Sequence, residues 1–464
     1  MLVDQETNNS EIKIETHSIT DLYQGVRGLA IKILNRIDRT DAYLERLLDN
    51  EMKSTDMSGP DKALLYEIVH GVVRWQGRLD WILNGFYKGT FSKAIPNLKN
   101  ALRVALYQIL FLDRVPDYAA VNEVVEFVKK LQGQKPADLV NAVLRNIIRS
   151  KNTIRYPDPE EDLVGYLAAY YSHPSWMVKR YVARFGREET EKLLAANNEK
   201  PYLTLRINAL KTKPEEFKTL LEKVNLKYHQ GNYLPEFFKL HNLTNITAWE
   251  YYIKGYFNIQ DESAGLACRL LDVNEGQRVL DMCAAPGGKT AYISALMHSR
   301  GEVVAIDRFE SRLKLLQKNM TRLSVDCVRI IEVDALEYKS LPFDRVLVDA
   351  PCSGSGTFSK KPDIKWKKNL FDIRDLNVLQ SKLLAKATSL VKVNGVIVYS
   401  TCSIEPEENF EIVKKFLNEN PNFKFESARG KVPDEVIDEN GCIQTLPHIH
   451  KTDGAFAARF VRIS

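Results

Sequence analysis

Two cysteines stand in settings that suggest reactivity: Cys352 in Asp349-Ala350-Pro351-Cys352-Ser353-Gly354, and Cys402 in Ser400-Thr401-Cys402-Ser403-Ile404-Glu405-Pro406. Each follows an apolar, strand-like run. A thiolate that adds to carbon-6 of a pyrimidine turns the ring into an enamine, and carbon-5 then attacks an electrophile such as a sulfonium methyl. The route needs a nucleophilic cysteine, a base for the carbon-5 proton and an acid near ring nitrogen 3. Cys352, Cys402 and Asp349 supply one cysteine, one base and one carboxyl.

The remaining cysteines have plainer readings. No Cys-x-x-Cys pair exists among the six, so no zinc or redox motif is expected, and no metal. Cys268, Cys327 and Cys442 are read as inert buried thiols.

Cys283 opens a different motif, Cys283-Ala284-Ala285-Pro286-Gly287-Gly288-Lys289-Thr290, a small-residue turn between a strand and a helix. A phosphate-cradling P-loop needs glycine where Cys283 stands, and the dinucleotide fingerprint Gly-x-Gly-x-x-Gly is not matched. What remains is a glycine turn that lets a ligand approach the backbone, followed about 20 residues later by Asp307 at the next strand end, where an acid binds ribose hydroxyls. A nucleoside without a pyrophosphate fits this pattern, and S-adenosylmethionine is the common one. Asp334, closing a third strand, either faces the adenine amino group or caps a helix.

These residues need a scaffold. From residue 250 short apolar strands alternate with amphipathic helices, the pattern of a parallel doubly wound sheet, with strands at 278–282, 302–306, 328–333, 343–348, 395–399 and 455–461. Ligands in such sheets lie beyond the carboxyl ends of the strands. Residues 22–150 have apolar spacing of three and four throughout, hence an all-helical domain. Residues 151–249 mix a strand at 202–208 with a helix at 214–224 and read as a small α+β connector. Residues 1–21 form an acidic leader expected to be disordered.

The chain has 464 residues and a formal net charge of +5, with 44% hydrophobic residues. That excludes a uniformly basic polyanion binder and fits a soluble, multidomain, cytoplasmic protein. No apolar run approaches the roughly 18 residues a membrane span needs, so no membrane contact is expected. Charge gathers locally: Lys360, Lys361, Lys365, Lys367, Lys368 and Arg374 follow Cys352 closely and are expected to meet phosphates, with Trp366 among them either stacking on a splayed base or filling a core.

Taken in order, Asp281-Met282-Cys283-Ala284-Ala285-Pro286-Gly287-Gly288-Lys289-Thr290, Asp349-Ala350-Pro351-Cys352-Ser353-Gly354 and Ser400-Thr401-Cys402-Ser403 with Glu407-Glu408-Asn409 resemble the motifs of the NOL1/NOP2/Sun family of RNA cytosine-5 methyltransferases. The resemblance implies a Rossmann-like class I methyltransferase domain. It implies that Cys402 is the nucleophile, Cys352 the group that assists release, and Asp349 the acid at nitrogen 3, with Lys289 beside the methyl-transfer site. S-adenosylmethionine would lie against Cys283, Ala284, Ala285, Pro286, Gly287, Gly288, Lys289, Asp307, Asp334 and Asp349.

The helical front end is informative within the family. Asp61-Lys62-Ala63-Leu64-Leu65-Tyr66-Glu67, Asp113-Arg114-Val115-Pro116-Asp117-Tyr118 and Asn141-Ala142-Val143-Leu144-Arg145 resemble the NusB-like RNA-binding domain of the bacterial Sun (RsmB) type. That subgroup implies 16S ribosomal RNA as partner, the cytosine-967 position as target, and no obligate protein partner. Two alternatives remain open: transfer RNA as substrate, which the NusB-like front end disfavours, and a non-catalytic RNA-binding assembly factor, which the complete Cys352, Cys402 and Asp349 set disfavours.

Overall fold

The computed structural model describes residues 23–241 and 246–464, and the expected leader at 1–21 lies outside them. The chain divides into two compact units, 1–172 and 173–464.

The first unit is helical: α1 (Gly25–Arg39), α2 (Leu44–Ser54), α3 (Gly59–Arg74), α4 (Gln76–Phe86), α5 (Pro96–Phe111), α6 (Asp117–Gln132), α7 (Gln134–Arg149) and α8 (Leu163–Tyr170). Local chemistry sets the helix starts. The Ser58 hydroxyl accepts from the Asp61 amide at 3.2 Å, and prolines 96 and 116 stand at or just before the first turns of α5 and α6. Helix α5 runs through the centre, burying Leu98, Leu102, Val104, Leu106 and Ile109.

The second unit begins with α9 (Ser175–Asn198), broken at Gly186, and continues through β1 (Leu203–Ile207), α10 (Pro214–Lys223), β2 (Tyr228–Gln230), β3 (Phe237–Leu240), α11 (Glu250–Ile253) and β4 (Phe257–Ile259). These strands form an antiparallel sheet in the order β2-β3-β1-β4 over a core of Leu205, Ile207, Phe217, Phe238 and Phe257.

Beyond it come α12 (Glu262–Leu271), β5 (Arg278–Asp281), α13 (Gly288–Leu296), β6 (Glu302–Asp307), α14 (Glu310–Leu323), β7 (Val328–Glu332), β8 (Phe343–Asp349), α15 (Ile364–Lys367), α16 (Leu370–Thr388), β9 (Val391–Thr401), α17 (Phe410–Glu419), β10 (Phe423–Glu426), β11 (Ile443–Thr445), α18 (Pro447–His450) and β12 (Ala455–Arg462). The sheet order is β10-β12-β9-β8-β5-β6-β7, with β11 paired to β12.

Strands β9, β8, β5, β6 and β7 are parallel, as the alternation with helices predicts. The expectation of an all-parallel sheet fails at its other edge. Strand β12 returns antiparallel to β9, and β10 and β11 pair antiparallel to β12. Apolar patterning reports burial, and burial is the same for a strand of either direction, so the reversal left no mark in residue spacing. Among the described residues no helix is long and apolar enough to cross a membrane.

Candidate active site

Strands β8 and β9 lie side by side with Asp349 opposite Ser400, so the segments that follow them leave the sheet together. Cys352 and Cys402 sit in those segments, their sulfurs 3.2 Å apart, and the Cys402 amide points at the Cys352 sulfur at 3.3 Å. Both are free thiols. The loop after Cys352 then folds back on Cys402: the Gly356 amide donates to the Cys402 carbonyl at 3.0 Å, and the Gly454 amide to the Gly356 carbonyl at 2.8 Å. A Cβ at Gly356 would stand 1.8 Å from the Gly454 oxygen, so only glycine permits this approach.

The pair shares its proton unequally. The Cys352 thiol is pushed well up by its hydrogen bond to Cys402 and by burial, with the Glu408 charge adding. That same bond lowers Cys402 against the effect of burial, helped by Lys361 and Lys289. Of the two thiols, Cys402 is the one whose ionisation is favoured, although the Asp349 charge opposes it.

Lys289, in the first turn of α13, places its ammonium 2.7 Å from Asp349 Oδ2, while the Ser400 hydroxyl donates to Asp349 Oδ1 at 2.9 Å. Burial opposes the Lys289 charge, and the Asp349 carboxylate outweighs it, holding Lys289 above its ordinary value.

The loop from Cys283 to Gly288 crosses the carboxyl ends of β5 and β6. The Ala284 amide donates to the Ile306 carbonyl at 3.0 Å, and α14 grips the loop from outside through Arg312 to the Ala285 carbonyl and Asn319 to the Pro286 carbonyl. Gly287 has a φ of 97°, and a Cβ there would meet Leu316 at 2.9 Å. Burial pushes the Cys283 thiol up, with the Asp281 charge adding.

Asp307 closes β6 with its carboxylate fixed by the Ala285 amide at 3.3 Å, the Phe309 amide at 3.1 Å and Arg312 at 3.3 Å. Asp334 takes the Leu336 amide at 2.9 Å in a turn, and among the described residues no helix begins between β7 and β8 for it to cap.

The donor set fits S-adenosylmethionine by one independent observation. Asp281, at the end of β5, takes the Thr290 hydroxyl at 2.7 Å on one oxygen, while its other oxygen is buried without a protein partner. Burial pushes this carboxyl up to about 7, although the Thr290 bond opposes the shift. An orphaned buried acceptor at the mouth of the sheet suits the ammonium of an amino-acid tail. Asp281 was visible in the sequence as a strand-end acid, but its missing partner was not.

The lysine-rich segment turns out differently from expectation. Lys360 is drawn inward between Asp261 and Asp453, 2.9 Å from the latter. Lys365 is wholly buried and donates to Asn198 at 3.1 Å, and Lys367 lies 3.7 Å from Asp363. Trp366 is half-buried next to Lys365. Lys361 stays exposed, and Lys368 and Arg374 are not among the buried residues. Paired or buried ammoniums cannot meet phosphates, so the phosphate-facing charge is narrower than the run suggests.

Two supports escaped the sequence reading. Arg206 of β1, buried, donates to the Gly288 carbonyl at 2.9 Å and to Gln260, tying the antiparallel sheet to the loop from Cys283 to Gly288. Glu405 and Glu407, beyond Cys402, are held by Arg180 of α9 at 2.9 and 2.8 Å. Both contacts join residues far apart in the chain.

Comparison with known proteins identifies the family. Residues 268–461 match the model of 16S rRNA methyltransferase RsmB/F, residues 24–149 the NusB family, and residues 173–247 the RsmF/B-like ferredoxin-like domain. The chain is 36% identical over 439 residues to a Bacillus subtilis (strain 168) protein named probable ribosomal RNA small subunit methyltransferase B, covering 93% of this chain and 97% of that one. It is 32% identical to ribosomal RNA small subunit methyltransferase B of Pseudomonas syringae pv. tomato, covering 94% and 97%. The solved structure of PH0851 matches with a TM-score of 0.80 at 27% identity over 95% of this chain and 99% of that one. A methyltransferase homolog from Pyrococcus horikoshii matches at 0.58 and 28% over 66% and 100%. The chain is a methyltransferase and belongs to the RsmB/F family, with a NusB-type helical domain and a ferredoxin-like connector ahead of the catalytic sheet.

Proposed function

We propose that this enzyme methylates carbon-5 of a cytosine in 16S ribosomal RNA, in the cytoplasm, at the cytosine-967 position its subgroup implies. The observation that carries the chemistry is the Cys352–Cys402 pair at 3.2 Å, in which that contact favours ionisation at Cys402. The substrate reading rests on the names of the relatives and on the NusB-type domain. We also propose the domain limits 22–150, 151–249 and 250–464 given above.

S-adenosylmethionine, when bound, supplies an electrophilic methyl group. Gly287 and Gly288 would let it approach the loop, Asp307 would accept from its ribose, Asp334 would face its adenine, and Asp281 would meet its ammonium. Cys402 adds to carbon-6 of the cytosine, which raises electron density at carbon-5. Asp349 is the acid at ring nitrogen 3, with the Lys289 ammonium 2.7 Å from its carboxyl and beside the methyl-transfer site.

Bond formation at Cys402 then removes the negative sulfur that held the Cys352 proton. Cys352 can lose that proton to solvent and take the one on carbon-5. The electron pair left at carbon-5 reforms the ring double bond as the Cys402–carbon-6 bond breaks. The target base must be unpaired or turned out of its helix for this to occur.

The test is a denaturing gel of Cys352→Ala with unmodified 16S rRNA and S-adenosylmethionine, beside Cys352→Ala/Cys402→Ala. A retarded protein–RNA band in the single variant and none in the double supports the assignment. A band that survives loss of Cys402 overturns it.

A further inference from the structure

The carboxylate of Glu408 is fully buried and gathers four donors from three chain segments. Oε1 accepts from the Ser353 amide at 2.8 Å and from Gln380 at 3.0 Å, and Oε2 accepts from the Ser353 and Ser403 hydroxyls, both at 2.5 Å. Ser353 directly follows Cys352, and Ser403 directly follows Cys402. Gln380, on α16, also donates to the Pro351 carbonyl at 2.9 Å, and the Tyr399 hydroxyl donates to the Glu408 carbonyl at 2.6 Å. A buried carboxylate persists only when its lone pairs are met, and these bonds are of the strong, charge-assisted kind.

The two sulfurs face different charges. Lys361 and Lys289 favour ionisation of Cys402 against the opposing carboxylate of Asp349, whereas the charge acting on Cys352 from outside the pair is the carboxylate of Glu408. Glu408 therefore does two things at once: it joins the two cysteine-bearing loops and puts a fixed negative charge on the side of the protonated thiol.

We infer that Glu408 is a positioning residue for the cysteine pair, clamping the Cys352 and Cys402 loops together and setting a negative charge beside the Cys352 loop. The inference deepens the assignment of Cys402 as nucleophile and rests on it. A purely structural clamp would need only the shape of Glu408. The proposed role needs its charge as well.

Glu408→Gln separates shape from charge. The remaining oxygen can face the Ser353 amide and Gln380, and the new amide can donate to serine hydroxyls that turn to accept. The full chain, wild type and E408Q, is treated with limiting iodoacetamide without RNA, and alkylation of the Cys352 and Cys402 peptides is measured by mass spectrometry across neutral and alkaline pH. In wild type Cys402 labels first. In E408Q the Cys352-to-Cys402 ratio is expected to rise about tenfold, since one unit of relative pKa is a factor of ten in thiolate. Single-turnover methylation is expected to fall about 10- to 100-fold with S-adenosylmethionine binding unchanged, as for misplacement near reacting atoms. Glu408→Asp, which keeps the charge, should restore the labelling ratio.

An unchanged ratio in E408Q overturns the proposal, whatever happens to the rate. If E408Q melts below the assay temperature, Ser403→Ala decides: it frees the Cys402 loop without altering charge, so the rate must fall while the ratio holds, and a wild-type rate overturns the clamp. Because alkylation needs no RNA, a wild type that labels at Cys402 yet leaves 16S rRNA unmethylated counts against the substrate alone. A wild type labelled first at Cys352 overturns the nucleophile and this inference together.

Discussion

Lys289 Nζ stands 2.7 Å from Asp349 Oδ2, and the same ammonium is one of the two cations that lower Cys402. One lysine thus serves both the carboxyl and the thiol of the site. Lys289→Met is expected to slow single-turnover methylation by about 100-fold or more, the scale of losing a preorganised charge at a reacting centre. It should also move alkylation of Cys402 to higher pH, because the thiolate loses a stabilising cation. A pH profile of alkylation that coincides with wild type contradicts this.

Asp281 gives the fold a pH dependence of known sign. Its carboxyl titrates at about 7 when folded and lies near the ordinary carboxylate range when unfolded, so between these limits the folded state holds the extra proton. Stability contributed by that proton is full below the unfolded value and is lost as pH rises towards about 7. Without cofactor, Asp281→Asn should therefore melt higher than wild type at alkaline pH and equal to it in acid, while binding S-adenosylmethionine more weakly. Melting curves at two pH values check the sign.

Asp307→Ala removes the acceptor assigned to the ribose. Hydrogen bonds to a charged group suggest a loss of about 10- to 100-fold in S-adenosylmethionine affinity. Calorimetry measures it, and equal affinity removes Asp307 from the site.

Lys361 and Lys360 are neighbours with different fates, one exposed and one held between Asp261 and Asp453. Lys361→Ala should weaken RNA binding uniformly and reduce the slope of log affinity against log salt by about one. Lys360→Ala should instead lower the melting temperature, because it strands two buried carboxylates, one of which burial and its neighbour already push up to about 6. Identical effects from the two substitutions would contradict the division.

Most of the framework was legible in the sequence because it is written in local patterns. Six strands, the cofactor loop and the strand-end acids follow from period and punctuation, and the helical first unit from three- and four-residue spacing. The rest depends on contacts that spacing does not encode. Nothing near Lys365 signals that Asn198 will receive it, and the direction of β12 is invisible to hydropathy. Glu408 stood in a recognised motif, but its role needed the distances to Ser353 and Ser403.

The bond from Arg206 to the Gly288 carbonyl changes what counts as the smallest portable enzyme. A fragment cut just ahead of α12 would keep every residue assigned to chemistry yet lose the strut under its cofactor turn. The ferredoxin-like piece is thus part of the chassis rather than a tether, and exchange between relatives should move residues 173–464 as a block.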